Sequence, residues 1–309
     1  MTILKPTPAK GFIVLLFAAS FFLNGCFLKS IAVDSIGDSL AGSGDTWSSD
    51  NDPELIRQAM PFSLKLIESV LAATPHHTAL LTAACEDFTE YAYAFVQQDA
   101  DFTADKDYPK SEQMDERAKK LYLRAYAYGL RALESRHSSF GRDLFTDPKK
   151  AALEADKNDV PALYWTGVAW MAAISLGKDE PALLADLPQA EALVYRAYAL
   201  DPDYDDGSIE CFLITYEGSK PAAMGGSAQK AREHFKRAVE LSHGTQLAPY
   251  LDLAEGVDEQ TQNRAEFIDL LNQALAIDVN QDKPHRLVNL ILRKRAKWLL
   301  TQVDSLFVK

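Results

Sequence analysis

The sequence predicts an all-α fold: a solenoid of helical pairs closed by a C-terminal capping helix. Apolar residues recur three and four apart, and nowhere does a strand-length segment alternate with period two. One helix-ending motif returns at spacings of 36 to 40 residues. The last segment carries a wide apolar face with cations opposite, as a terminal cap requires.

The elements follow in order. Asp52-Pro53 opens the first helix as an N-cap and N1 pair. Leu55, Ala59, Phe62, Leu66 and Val70 then share one face, with Pro61 expected to kink or restart the helix. Further helices are expected over 77–100, 111–136, 159–177, 187–200, 207–221, 227–242, 246–256, 263–277 and 284–307, with short helical pieces and loop over 138–158. In 284–307, Val288, Leu292, Ala296, Leu299 and Val303 are placed to dock, while Arg293, Lys294, Arg295 and Lys297 face water. A membrane-surface role for this basic amphipathic helix is the lesser alternative.

The repeat is visible in helix endings. Tyr195–Pro202 (YRAYALDP), Phe235–Ser242 (FKRAVELS) and Leu271–Asp278 (LNQALAID) place a small Ala and a terminal Leu or Ile alike, and Tyr128–Glu134 is a looser copy. The Ala lets neighbouring helices approach and the terminal residue fills the core. This is the second-helix ending of a tetratricopeptide repeat, and Ala162–Trp170 (ALYWTGVAW) has the order of its first helix. The spacings exceed the ideal of about 34, so the expected architecture is a degenerate tetratricopeptide-like solenoid.

Three segments are expected. Residues 1–25 read as a lipoprotein signal peptide: Lys5 and Lys10 precede a 12-residue uncharged stretch, Phe12–Leu23, too short to span a bilayer. Leu23-Asn24-Gly25-Cys26 then resembles a bacterial lipobox, making Cys26 the lipidated residue. Phe27, rather than Asp, favours sorting to the outer membrane with the domain facing the periplasm. Residues 26–52 read as a flexible tether rich in Gly, Ser and Asp, and 53–309 as the helical repeat domain. Removing the signal takes two lysines and no acid, leaving a net charge of −14. Such a chain is an unsuitable partner for nucleic acid or anionic lipid, so membrane contact is expected through the lipid anchor alone. Cys85 and Cys211 sit in apolar helical stretches and are expected as buried free thiols, a disulfide being the alternative.

Motifs for chemistry fail one by one. Ala199–Glu210 (ALDPDYDDGSIE) has the alternating acids of a calcium loop. Counted from Asp201, however, the sixth position is Asp206 where Gly is needed, and the twelfth is Phe212 where Glu is needed. It reads instead as a seam between repeats, with Asp201-Pro202 stopping one helix and Asp205 or Asp206 capping the next. Asp99, Asp101, Asp105 and Asp107 read as a solvated loop. His76 and His77 are adjacent and would diverge, and neither HExxH nor CxxC accompanies them. Gly225-Gly226 follows no strand and precedes no Gly-Lys-Ser/Thr, so it is a turn and not a phosphate cradle. The expectation is a non-enzyme with no catalytic residue, no metal and no cofactor. What stands out is aromatic residues on predicted first helices, which line the concave face of such solenoids: Tyr91, Tyr93, Phe95, Tyr164, Trp165, Trp170, Phe212 and Tyr216. They serve either as core or as a groove.

A family resemblance covers essentially the whole mature chain. Ser49–Leu81, Phe88–Asp101, Val160–Trp170, Ile174–Asp179, Ala185–Gly207 and Pro221–Gly244 together resemble the TatT family, tetratricopeptide-type lipoproteins associated with tripartite ATP-independent periplasmic (TRAP) transporters. The resemblance implies a periplasmic, homotrimeric lipoprotein that docks the transporter's solute-binding protein and passes or holds a small hydrophobic ligand in a central pore or cleft. It supplies no catalytic motif. Candidate ligand or partner residues are Trp165, Trp170, Lys178, Tyr216, Tyr91 and Tyr164. The alternative function is a generic adaptor in cell-envelope or outer-membrane assembly.

Overall fold

The computed structural model describes residues 33–308, so the signal segment and Cys26 lie outside the described residues. Within them every regular element is helical. Helix α1 is Pro53–Ala73, with Asp52 Oδ1 accepting from the Glu54 and Leu55 amides at 3.1 Å each. It runs through Pro61 without restarting. Its buried face is Ile56, Met60, Leu64, Ile67 and Leu71, one step round from the expected stripe. Leu55, Phe62 and Leu66 are instead 55%, 74% and 38% exposed. Both stripes are apolar, so periodicity cannot choose between them; the neighbours of α1 do.

Helix α2 (Thr78–Ala92) continues through a π turn, Tyr93–Gln97, into Gln98–Ala104. Next come α3 (Tyr108–Arg136), two short helices at Phe140–Thr146 and Pro148–Ala152, α4 (Val160–Leu176), α5 (Leu187–Leu200) and α6 (Ser208–Ser219). They are followed by α7 (Ala228–Leu241), α8 (Ala248–Leu253, extended by a π turn Ala254–Asp258), α9 (Arg264–Ala276) and α10 (Arg286–Leu306). Asp107, Ser227 and Asn263 each accept a backbone N–H as N-caps of α3, α7 and α9. Helix α2 packs on α3, α3 on α4 and α4 on α5, while α6 packs on α7 and α9 on α10. Gly129 permits the tightest approach: a Cβ there would run into Thr166 Oγ1 and lie 2.8 Å from Cys85 Sγ.

The two ends of this run meet. Leu287 and Ile291 of α10 join the core formed by Ile56, Met60, Phe88 and Tyr122. Arg286 Nε donates to the Ser49 carbonyl at 2.8 Å, and Arg295 pairs with Asp101 at 2.7 Å and with Glu255. Several expectations are corrected here. Arg295 is not a wet cation but 12% exposed, because it is held between Asp101, after α2, and Glu255, at the end of α8. Val288, expected to dock, is 40% exposed. Asp99 and Asp101 belong to a helix and are ion-paired rather than free in a loop. Residues 33–41 and Gly44–Ser48 of the expected tether are helical, and Leu40, Ala41 and Trp47 rest on the cores. Cys85 and Cys211 are free and buried, as read from the sequence.

Candidate functional site: an acid-lined inner cleft

Closure of the ends turns one side of α2, α4, α6 and α8 toward a shared interior. Glu86, Asp87 and Glu90 lie on α2, Tyr164 and Trp165 on α4, Cys211 and Thr215 on α6, and Asp252 at the end of α8. The seam before α6 adds Tyr204 and Asp205. These groups sense one another's charge across the gap. Glu86 and Glu90 feel Asp205, Tyr164 feels Cys211 and Asp252, and Tyr93 feels Asp252, Glu255 and Arg295.

The surroundings have an unusual combination of properties. Glu90, Tyr93 and Asp205 are exposed to water, and Glu86, Asp87 and Asp252 are half-buried. Yet protein surrounds all of them closely enough to strip bulk solvation from their charged forms. Burial pushes Asp87 up to about 7 and, with the charges of Asp87 and Asp205, Glu90 up to about 8. Glu86 and Asp252 are raised well above the usual carboxylate range for the same reason. We read these water-reachable carboxylates, facing one another across α2, the seam before α6, and α8, as the wall of an inner cleft.

Two cations stand on this wall. Burial works against the charge on Arg295, but Glu255 and Asp101 hold the guanidinium firmly protonated. Burial also opposes the His285 imidazolium, yet Asp205 at 3.8 Å and Asp282 at 3.0 Å outweigh it and push its pKa up to about 9. The seam is shaped for this role. Asp205, Asp206 and Gly207 all have positive φ (49°, 49° and 103°), and Ser208 Oγ donates to Asp205 Oδ2 at 2.6 Å. This turn aims Asp205 at His285 and leaves α6 without a side-chain cap, so the expected capping by Asp205 or Asp206 is not what these residues do. Among the described residues no group of three or more His, Cys, Asp or Glu is placed to hold a metal ion.

The expected groove residues scatter. Tyr164 and Trp165 do reach the interior: their rings meet edge-on at 5.0 Å, Tyr164 lies 5.6 Å from Tyr204, and its hydroxyl donates to the Ser208 carbonyl at 3.2 Å. The Trp165 indole N–H is buried without an acceptor. Trp170 is 1% exposed and serves the core, against Tyr126 at 4.2 Å. Tyr91 is likewise core, tilted on Phe95. Tyr216 points away, donating to Glu191 beneath Lys220, which sits 4.7 Å above its ring. Lys178 is exposed in the loop after α4. Sequence reasoning missed the carboxylates; its available signal was Glu86, Asp87 and Glu90 interrupting the otherwise apolar run of α2.

No helix among the described residues is long and apolar enough to cross a membrane. A protein from Treponema pallidum (strain Nichols), itself described only as uncharacterized, is 29% identical over 310 residues, covering 94% of this chain and 96% of the relative. The TAtT family, described as the TRAP transporter T-component, matches residues 49–307. With that match spanning the helices and the inner cleft together, the chain belongs to the TRAP transporter T-component family.

Proposed function

We propose that this T-component is a periplasmic lipoprotein, anchored to the outer membrane through Cys26, that docks the transporter's solute-binding protein and passes a small molecule through its inner cleft. The helical pairs are degenerate tetratricopeptide units, and the working form is a homotrimer. The observation that supports the reading is the inner face: α10 packs back on the N-terminal helices through Leu287 and Ile291, and Arg286 holds the Ser49 carbonyl, with the carboxylates of α2 and α8 on the side so enclosed. Trp165, Tyr164 and Tyr204 offer apolar contact within it, and the carboxylates keep it wetted. A scaffold whose only task was adhesion would gain nothing from enclosing unpaired carboxylates, since burying charge costs stability.

The test separates docking from passage. Thr215, exposed on α6 beside Asp252, is replaced by Trp to plug the cleft. The plugged variant is expected to co-purify with the solute-binding protein as the parent does while uptake falls. Uptake unchanged with a plugged cleft overturns passage; no recovery of the solute-binding protein by either form overturns docking. Sedimentation of the intact protein at a monomer mass would remove the trimer.

A further inference from the structure

A second cavity system lies outside the cleft, between α10 and the turn joining Gln98–Ala104 to α3. One cavity of about 600 Å³ opens beside one of about 320 Å³, and Phe102 and Lys294 line both. Phe102 and Trp298 meet edge-on at 5.1 Å to form an aromatic floor, with Met114 alongside. Lys294 Nζ stands 4.7 Å from the Phe102 ring centre.

The whole chain carries a net charge of −12, yet around the larger cavity bases outnumber acids. Lys106, Lys110 and Lys294 line the larger cavity together with Asp99 and Asp105. Asp99 is held by both arms of Arg57, so Lys294, 3.8 Å away, is only loosely engaged. Around the larger cavity that leaves three ammonium groups and one unpaired carboxylate, Asp105, while the smaller cavity adds Asp52, which caps α1, and Glu54, paired with Arg57. An independent observation comes from the smaller cavity. Gln98 lines it, is 1% exposed, and its Nε2 has no acceptor. A buried amide donor without a partner is costly, and an arriving acceptor relieves that cost.

We propose that this lateral cavity binds a small amphipathic carboxylate. Its apolar body lies on Phe102 and Trp298, and its carboxylate sits at Lys294, which lines both cavities, within reach of Lys106 and Lys110 on one side and of the Gln98 amide on the other. The site is separate from the cleft and stands whether or not the cleft passes a solute. The ammonium groups select for charge, and the aromatic floor selects for an apolar chain. Neither alone would distinguish a fatty acid from a simple anion or from a neutral amphiphile.

Calorimetry on the full chain with decanoate and with decyltrimethylammonium, equal in chain and opposite in charge, tests this. Decanoate is expected to bind and the cationic probe not to. Lys106→Glu with Lys110→Glu, both exposed and remote from any core, should weaken decanoate tenfold or more, and Trp298→Ala should weaken it independently. Trp165→Ala in the cleft should leave decanoate affinity unchanged. Equal binding of both probes, absence of decanoate binding, or indifference to the lysine pair overturns the proposal. Loss on Trp165→Ala alone would place decanoate in the cleft and overturn the lateral site while sparing the passage reading. Binding to phosphatidylglycerol vesicles without binding of free decanoate would assign the lysines to a lipid surface and refute a carboxylate site.

Discussion

Arg295 is the residue on which the docking of α10 against the rest of the fold turns. It hydrogen-bonds Glu255 through Nε at 2.9 Å and Asp101 through an η nitrogen at 2.7 Å, joining α10 to the end of α8 and to the helix after α2. Replacing it with Met keeps most of its volume and removes the charge. The loss strands two carboxylates, Glu255 with 22% and Asp101 with 33% of their side chains exposed. Removing one partner of a fully buried pair costs about 3–5 kcal/mol. Because both carboxylates keep some water, the lower end applies, about 3 kcal/mol. Urea unfolding of Arg295→Met, Glu255→Gln and the double variant would measure it. The double variant is expected to recover part of the loss, with a coupling of about 1 kcal/mol or more. Hydrogen exchange should show α10 amides opening more readily than those of α3 in Arg295→Met. A cost below about 1 kcal/mol with negligible coupling would mean that Leu287 and Ile291 hold α10 by apolar contact alone, and the clasp argument would fail.

Three further outcomes are expected. Glu90 has its folded pKa raised to about 8 from the ordinary carboxyl value of 4.5, so the folded state holds the extra proton and stability falls as pH rises between those values. His285, raised to about 9 from 6.5, contributes stability that is complete below 6.5 and lost as pH rises through 9. Thermal midpoints from pH 5 to 9 should therefore decline for the parent, decline less steeply below pH 8 in Glu90→Gln, where Glu86, Asp87 and Asp252 still contribute, and decline less steeply above pH 7 in His285→Gln. Gly129→Ala should destabilise by about 1–3 kcal/mol in chemical denaturation, since Thr166 and Cys85 leave no room between α3 and α4. On α1, Met60→Ala should cost about 2–5 kcal/mol while Phe62→Ser stays within about 0.5 kcal/mol, a contrast that reads the buried face directly.

That contrast marks where sequence reasoning reached its limit. Helix α5 is found at Leu187–Leu200, as its periodicity and the following Asp-Pro predict, and the other long helices fall within a few residues of expectation. Local signals suffice there because a helix end is fixed by its own caps and turns. The burial of α1 was not legible, because Leu55, Phe62 and Leu66 repeat at the same spacing as Ile56, Met60 and Ile67. Only the partners choose, and one of them is α10, more than 200 residues away in sequence. Trp165 and Trp170 show the same limit. Helix α4 is apolar all round, so sequence cannot say which tryptophan faces the interior.

The acidic seam shows why the site was harder to read than the fold. As a string, Asp203 to Gly207 is what any solvated turn looks like, and its charges carry no ligand spacing. In the folded chain the consecutive left-handed residues carry Asp205 inward, across from Glu86 and Glu90 and onto His285. The same polar residues that keep a turn in water therefore keep the inner cleft in water. A cleft enclosed by helices would otherwise dry and fill, because apolar walls in contact gain free energy by excluding solvent. Carboxylates raised toward neutrality, rather than paired off, leave the wall wettable without committing it to a fixed counter-ion. Arg295 and His285 sit where α10 meets the wall, so the groups that hold α10 in place also limit the wall's negative charge. Loss of either cation should thus act on both properties at once, loosening α10 and making the cleft more strongly anionic.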